Sequence, residues 1–302
     1  MALPAELPRG GKCGIIHDML EQELMPVLGF FSFWLGACVA SFLNVVIWRV
    51  PRGESIVSPP SHCPKCNASI KWWQNIPILS WLALRGKCAN CRAPISPRYI
   101  FVELLGGVLF LAVFLHFGLY RPLGWSIARV IVMWIWISLM IVGSFIDFDH
   151  QLLPDFVTVG GMLLGLGVAA LNTAFFMSFE DMAAIDRFMP LIMSLSGLAL
   201  GFGLLWLIRW LGGKAFGREA MGMGDVLLLG AVGALFGPVA ALVTLILSSV
   251  FGSLVGFAMI LAAKAKLGRF TAIPYGPYIC LGCLAWMFCG YDLVNWYLGL
   301  LK

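Results

Sequence analysis

Two aspartates carry the chemistry that this sequence suggests. Asp147 follows an apolar run over residues 129–146, and Asp225 precedes another over residues 226–241. A carboxylate at the end of a membrane helix is costly, and it usually serves chemistry or ion handling. Two carboxylates in one site do not both ionise easily, so one keeps a proton while the other acts as a base. The pair therefore predicts acid/base hydrolysis of a peptide bond.

The residues around the aspartates leave other interpretations open. Gly222 and Gly224 admit the close approach of another chain, but the same pattern fits a flexible connector with Asp225 as a helix N-cap. Asp155 fits a first-turn or N-cap acid, and residues 149–150 fit a solvated loop. Neither a Gly-x-Ser-x-Gly nor a His-Glu-x-x-His motif offers a different catalytic centre.

A second cluster is formed by cysteines. They make two Cys-x-x-Cys pairs separated by 21 residues: Cys63 with Cys66, and Cys88 with Cys91. Such pairs indicate a structural zinc site with four thiolate ligands. Redox chemistry and chance spacing are the alternatives. The intervening Trp72, Trp73 and residues 76–84 predict a small hairpin core resting on the membrane, with a pocket for a second ligand as the sharper alternative.

Composition sets the class of protein that must hold these groups. The chain has 302 residues, 61% hydrophobic and 12% charged, with a mean hydropathy of +0.92 and a net charge of +5. Soluble domains are about 45–50% apolar and about 25% charged, and no long basic run predicts a nucleic-acid partner. The sequence therefore predicts an all-α polytopic membrane protein. About eight transmembrane helices are expected, over residues 27–49, 100–119, 127–146, 156–177, 189–211, 225–241, 242–263 and 276–299.

Loop charges predict the orientation of these helices. The loops over residues 51–98, 212–224 and 264–275 are basic, whereas the loop over residues 178–188 is acidic. The positive-inside rule then places the basic loops, Asp147 and Asp225 at the cytoplasmic face and both termini outside. The second loop, with Arg121 alone, is a weak exception. Cytoplasmic placement also argues against disulfides between the four cysteines.

The predicted organisation has four parts. Residues 1–26 form a polar N-terminal extension without a signal-peptide pattern, and residues 27–50 form the first transmembrane helix. Residues 51–99 form a cytoplasmic four-cysteine loop resembling a zinc ribbon. Residues 100–302 form the transmembrane aspartic protease domain.

Several short motifs, in this order, resemble those of the bacterial type IV prepilin peptidases. The resemblance extends from about residue 29 to about residue 290. It rests on residues 36–51, the cysteine pairs, Asn75-Ile76-Pro77, Arg98-Tyr99 with Val102-Glu103, Ile146-Asp147 with residues 151–155, Gly222-Met223-Gly224-Asp225, and residues 274–278.

The resemblance implies an inner-membrane aspartic protease of the Gly-x-Gly-Asp kind, with its active site facing the cytoplasm. It implies Asp147 and Asp225 as the catalytic pair and Cys63, Cys66, Cys88 and Cys91 as zinc ligands. Its implied substrates are type IV prepilins and type II secretion pseudopilins within membrane lipid, whose leader it removes.

Members with the cysteine loop also N-methylate the new N-terminus with S-adenosylmethionine. The cytoplasmic loop and Glu103 are candidates for the methyl-donor site, which the sequence leaves unknown. The competing hypotheses are a proton-coupled transporter that uses the aspartates as a relay, and a zinc-ribbon membrane scaffold without chemistry.

Overall fold

The computed structural model describes residues 12–118, 123–171, 188–217, 221–262 and 274–300, and side chains in the first helix from residue 24 onward. Within these ranges the regular structure is helical, with only two isolated β-bridges. The helices are α1 (Lys12–Arg49), α2 (Leu79–Ala83), α3 (Arg98–Gly118), α4 (Leu123–His150), α5 (Asp155–Ala170), α6 (Met189–Phe216), α7 (Met223–Phe236), α8 (Pro238–Ala262) and α9 (Gly276–Leu300).

The eight longer helices coincide with the eight predicted apolar runs. Six of the described helices are long and apolar enough to cross a membrane, namely α1, α3, α4, α6, α8 and α9. The other two, α5 and α7, have 16 and 14 residues, so α7 is only about 21 Å long against a hydrocarbon core of about 30 Å. The chain is thus an all-α, multi-pass membrane protein, as predicted.

Several predicted boundaries differ from the structure by a few residues. The sequence assigns the sixth and seventh runs to residues 225–241 and 242–263 but joins them at Gly237-Pro238, and the structure divides them at that junction, because α7 ends at Phe236 and α8 begins at Pro238. Proline has no N–H to donate and fits the first turn of a helix, while Gly237 takes a φ of +86° between them. Helix α1 also begins at Lys12 rather than near residue 27, although its membrane-compatible part begins at Leu24.

Several predicted features lie outside the described residues. Residues 1–11 of the N-terminal extension, most of the acidic fourth loop and most of the basic seventh loop belong to this group. The orientation argument from loop charges, and the four-part organisation, therefore stay predictions.

Contacts divide the chain into two compact units. One comprises the described part of Met1–Asn44 together with Pro59–Ile137, and it contains the four cysteines and α3. The other comprises Val45–Ser58 and the described part of Ser138–Lys302, and it contains both aspartates and helices α5 to α9.

Helix α7 is the centre of the second unit. It packs against α5, α6, α8 and α9, and ten of its residues are buried. Glycines bring neighbouring backbones into direct contact, because a Cβ on Gly233 or Gly197 would overlap the other helix and a Cβ on Gly165 would lie 2.6 Å from the α7 backbone. This packing holds the short helix and its aspartate inside the protein.

Candidate active site and metal site

The Asp147 carboxyl is held by the start of another helix. Asp147 lies three residues before the end of α4 and is 6% exposed. Its Oδ2 accepts a hydrogen bond of 3.0 Å from the backbone N–H of Gly276, the first residue of α9. A Cβ on Gly276 would lie 2.7 Å from that same oxygen. The position next to Asp147 therefore has room only for glycine.

Asp225 is the third residue of α7 and is 8% exposed. The N-cap position belongs to Gly222, so the interpretation of Asp225 as the N-cap is wrong. The backbone of Gly222 hydrogen-bonds to the Asp225 carboxyl. In a capping box, the side chain of the third helical residue makes the same kind of bond back to the N-cap backbone. The other oxygen, Oδ1, is buried without a hydrogen-bond partner in the described part of the chain.

The structure brings these two carboxyl groups, 78 residues apart in sequence, into one cluster. They are close enough to interact electrostatically, and the buried Cys280 thiol on α9 interacts with both charges. Leu153 lies next to the glycine beside each aspartate. Its side chain would be 3.3 Å from a Cβ on Gly276 and 2.8 Å from a Cβ on Gly224. Two buried acids that interact electrostatically, one of them with an oxygen that has no hydrogen-bond partner among the described residues, suit acid/base chemistry on a bound water and an amide.

The glycines of the Gly-x-Gly-Asp motif have different surroundings. Neither Gly222 nor Gly224 has a positive φ, so backbone freedom does not explain them. A Cβ on Gly224 would collide with Leu153, whereas a Cβ on Gly222 would make an ordinary contact of 3.5 Å with Asp225 Oδ2. The chain that approaches Gly224 closely is therefore the protein's own.

The remaining acids of the Asp147 motif are exposed. Asp149 and His150 end helix α4 and so are helical rather than part of a loop, although their exposure is as predicted. Helix α4 continues past Asp147 because the following residues keep the helical pattern of backbone hydrogen bonds. The last of these bonds runs from the N–H of Gln151 to the carbonyl of Asp147. Asp155 is the first residue of α5, confirming a first-turn acid.

Arg209 is a site residue that the sequence analysis missed. On α6, its Nε donates a 3.0 Å hydrogen bond to the carbonyl of Met221, and its Nη1 approaches the Met223 sulfur at 3.2 Å. It thus binds the segment that leads into Asp225. One feature of the sequence could have indicated it, because Arg209 is the one charged residue in the apolar run over residues 189–211.

The four cysteines converge in the first unit. Their sulfur atoms all lie within 4.8 Å of one another, and the sulfurs of Cys63 and Cys91 are 3.8 Å apart. A tetrahedral zinc with Zn–S bonds of about 2.3 Å separates its sulfurs by about 3.8 Å, whereas a disulfide would need about 2.05 Å. The geometry and the donor set are compatible with zinc.

Each cysteine pair sits in the same backbone turn. The N–H of Cys63 bonds to the carbonyl of Ala68, and the N–H of Cys88 bonds to that of Ala93, five residues on in both cases. The residue four after each first cysteine takes a positive φ, 56° at Asn67 and 59° at Arg92. This repeated turn presents the sulfurs of each pair to the shared site.

The thiols differ in acidity. Backbone hydrogen bonding at Ala68 and the amide of Asn90 lower the pKa of Cys66 to about 6, and backbone hydrogen bonding at Cys91 and Asn90 lowers the pKa of Cys88. Backbone hydrogen bonding at Ala93 acts to lower the pKa of Cys91, but desolvation and the neighbouring thiols together raise it to about 11. Thiolate is the form of cysteine that binds a metal ion. The lowered pKa values of Cys66 and Cys88 therefore favour cation binding by these two residues.

The apolar residues between the pairs do not form the predicted hairpin core. Trp72 and Trp73 are 77% and 50% exposed, and in the fully described stretch between the pairs only Pro77 and Gly86 are buried. With both tryptophans largely exposed, the segment is organised by its two cysteine turns rather than by an apolar core.

Glu103 connects this segment to α3. Its Oε2 accepts a 2.7 Å hydrogen bond from the N–H of Ile78, which has a φ of 62°. Ser41 of α1 also hydrogen-bonds to this buried carboxyl. Glu103 therefore links the cysteine segment to α3 and α1, whether or not it also binds a methyl donor.

Comparisons with known proteins match both units. The family model described as the Bacterial Peptidase A24 N-terminal domain matches residues 34–117, and that of the Type IV leader peptidase family matches residues 134–257. A prepilin leader peptidase/N-methyltransferase of Myxococcus xanthus is 42% identical over 246 residues, which are 82% of this chain and 67% of the relative.

Two further relatives are matched over nearly their whole length. A prepilin leader peptidase/N-methyltransferase of Legionella pneumophila is 38% identical, covering 90% of this chain and 94% of the relative. A type 4 prepilin-like proteins leader peptide-processing enzyme of Escherichia coli O78:H11 is 36% identical, covering 90% and 97%. No solved structure gives a significant match. On the two family matches and these extensive identities, the chain belongs to the type IV leader peptidase family.

Proposed function

We propose that this protein is an intramembrane aspartic endopeptidase that removes the leader peptide of type IV prepilins or pseudopilins and N-methylates the new N-terminus. The proposal rests above all on the buried cluster of Asp147 and Asp225, in which Oδ1 of Asp225 has no hydrogen-bond partner among the described residues. Family membership supports a leader peptidase, and it does not support the transporter alternative.

The geometry suits general acid/base hydrolysis. Asp147 is oriented by the Gly276 N–H through Oδ2, which leaves its other oxygen for a water or the substrate. The ionised carboxylate takes a proton from the attacking water, and the protonated one donates its proton to the peptide carbonyl oxygen. The tetrahedral diol then collapses as the carboxyl that took the water proton passes it to the leaving nitrogen, while one diol hydroxyl gives its proton to the other carboxylate, so the dyad again holds one proton.

The zinc and methyl-transfer parts of the proposal use different residues. Cys63, Cys66, Cys88 and Cys91 would hold a zinc ion with no open position, so the metal would stabilise the segment rather than activate water. The relatives named N-methyltransferases support S-adenosylmethionine as the donor of the methyl group. We assign no residue to that donor.

We further propose that the protein lies in the bacterial inner membrane with the aspartates at the cytoplasmic face. The basic loops of the sequence support this orientation. The exposed Asp149 and Asp155 flank the dyad motif, and their charge would favour a substrate whose leader is basic.

The test is mass spectrometry of a purified prepilin incubated with the purified protein in detergent, with and without S-adenosylmethionine. Asp147→Asn and Asp225→Asn should each reduce cleavage by at least about 1,000-fold, because one carboxylate cannot act as both acid and base. Asp292→Asn, an exposed acid of α9, is the matched control and should cleave normally. Normal processing by either dyad variant would exclude the assignment.

A further inference from the structure

The exposed tryptophans of the cysteine segment have no role in the proposed function. Trp72 and Trp73 belong to a short 3₁₀ helix, and their rings meet edge to face with centroids 5.5 Å apart. Neighbouring apolar side chains are exposed as well. We call these residues the tryptophan patch, and their exposed fractions range from 38% to 77%: Trp72, Trp73, Ile76, Leu79 and Leu82.

Hydrogen bonds connect the parts of the patch. The Ser80 hydroxyl donates to the carbonyl of Trp73 at 2.9 Å and accepts from the N–H of Ile76 at 3.0 Å. Ser80 lies in α2, where Leu79 and Leu82 are three residues apart and so lie on the same side of the helix. The patch is thus one connected apolar surface, and such surfaces mark contact with a partner or a membrane.

Glu103 fixes the patch relative to a membrane helix. It lies five residues after Arg98, the first residue of α3, or about 7.5 Å along the helix axis. Its Oε2 accepts a 2.7 Å hydrogen bond from the N–H of Ile78, whose carbonyl accepts one of 3.1 Å from the N–H of Leu82. The 21 residues of α3 extend about 32 Å, close to the hydrocarbon thickness of about 30 Å. The patch is therefore held near the level at which α3 enters the membrane.

The charge of the segment matches anionic lipid. Residues 59–97 contain five lysines and arginines and no aspartate or glutamate. All five cations are exposed: Lys65, Lys71, Arg85, Lys87 and Arg92. A zinc ion on four thiolates would add two negative charges, which leaves the segment positive. Clusters of about four to eight basic residues beside a membrane helix are typical of binding to anionic lipids.

Cations and rings are neighbours in the patch. The Lys71 ammonium lies 5.1 Å from the centre of the Trp73 ring, and the N–H of Arg85 donates to the carbonyl of Leu82 at 3.0 Å. Tryptophan rings concentrate at the level of lipid headgroups, and basic side chains bind phosphate. A substrate with a basic leader would instead be repelled by these charges.

We propose that the tryptophan patch is a docking surface for anionic phospholipids, with its rings among the headgroups and with Lys71 and Arg85 on lipid phosphates. The docked lipids hold the cysteine segment against the bilayer next to the start of α3. This role goes beyond the proposed function, because it requires neither aspartate.

The first experiment measures the solvent access of the two tryptophans in a bilayer. The full-length protein is placed in nanodiscs of phosphatidylcholine, or of equal amounts of phosphatidylcholine and phosphatidylglycerol, and hydroxyl-radical labelling of each residue is read by mass spectrometry. Trp72 and Trp73 should be labelled at least about fivefold more slowly in the anionic discs, the population change that one basic residue produces near an anionic surface. In about 1 M salt, where the Debye length is about 3 Å, the difference should vanish. Equal labelling in both lipids, or a difference that survives this salt, would overturn the proposal.

The second experiment uses charge variants in the same discs. Lys71→Gln combined with Arg85→Gln should bring the labelling of both tryptophans in anionic discs close to its value in phosphatidylcholine. Lys65→Gln combined with Arg92→Gln removes the same charge beside the cysteines and is the matched control, which should keep most of the difference. Zinc content checks that the cysteine cluster is intact in each variant. An equal loss with both pairs would contradict a site at the patch.

A third arm tests the substrate as the alternative occupant. A prepilin peptide added to phosphatidylcholine discs should leave the labelling of Trp72 and Trp73 unchanged. Protection by the peptide would assign the patch to the substrate and overturn the proposal. None of these measurements requires cleavage, so a failure of the proposed function would leave the result on lipid binding standing.

Discussion

Gly276 determines where the Asp147 carboxyl lies. Its backbone N–H donates to Oδ2 while the missing side chain leaves space for that oxygen. Both features come from one residue at the first position of α9, where a helix has free N–H groups to offer. The acid is thus positioned by a helix end rather than by a charged partner in the described chain.

Gly276→Ala should strongly reduce the rate of prepilin cleavage although both aspartates remain. The new Cβ would lie 2.7 Å from Asp147 Oδ2 and 3.3 Å from Leu153 Cδ1, so the carboxylate must move. A misplacement of about 1 Å can cost about 100-fold in rate, and we expect a loss of this size in kcat. Gly160→Ala on α5, where a Cβ meets nothing within 4 Å, is the control. Full activity of Gly276→Ala would show that a Cβ at this position does not displace the carboxylate.

The two glycines before Asp225 should respond unequally to alanine. A Cβ on Gly224 would lie 2.8 Å from Leu153 Cβ, which is itself adjacent to the Gly276 position. A Cβ on Gly222 meets only Asp225 Oδ2 at 3.5 Å, and its φ of −65° suits alanine. We expect prepilin cleavage to fall at least about tenfold more for Gly224→Ala than for Gly222→Ala. Comparable losses would contradict the conclusion that only Gly224 is packed too closely for a side chain.

At the scale of elements, the repeated cysteine turn organises a segment that lacks a core. Each turn supplies backbone hydrogen bonds near its sulfurs, and the two turns place four sulfurs within 4.8 Å. Four thiolates at this spacing would repel one another without a cation, and a bound metal ion would remove that repulsion and stabilise the segment. Glu103 then joins this segment to α3 through Ile78.

The thiols should react in a defined order once the metal is removed. The folded-state pKa of Cys66 is lowered to about 6 from 9.0, so near pH 7 it is mostly thiolate, while Cys91 with a pKa of about 11 stays protonated. After chelation under native conditions, iodoacetamide should label Cys66 well before Cys91, as read by mass spectrometry of peptides. The preference should fade below about pH 6, and in urea at any pH. Equal labelling rates in the folded apoprotein would contradict this order.

At the scale of the whole molecule, the four proposed zinc ligands and the two aspartates belong to different compact units. The cysteines lie in the unit containing α3, and the aspartates lie in the unit built around α7. Within the second unit, the buried α7 packs against four helices, and none of the four cysteines belongs to this unit.

Metal removal should therefore affect the two units differently. With zinc chelated in detergent, we expect protease sites in residues 59–97 to become accessible while α5 to α9 stay protected. Cleavage of prepilin should fall less than for either aspartate variant. Limited proteolysis with peptide mapping measures the first effect. Simultaneous digestion of both units would show that the metal stabilises the whole protein.

Some parts of this structure could be predicted from the sequence, and others could not. The eight apolar helices follow from run length and composition, and the cysteine cluster follows from spacing, because these are local properties of the chain. The hairpin core was wrong, since exposure of Trp72 and Trp73 depends on what surrounds them. Arg209 was missed because its partner, the Met221 carbonyl, leaves no mark in the side-chain pattern.

The order of residues alone predicts the membrane class, the sequence of helices, and the four cysteines and two aspartates that the structure then brings together. That Gly276, 129 residues after Asp147, orients the carboxyl of that acid is visible only in the folded chain. The same is true of Leu153, whose side chain lies next to both the Gly276 and the Gly224 positions. The physical reason is that such contacts arise from close packing of distant helices, and side-chain chemistry along one helix does not specify which atoms of another it will meet.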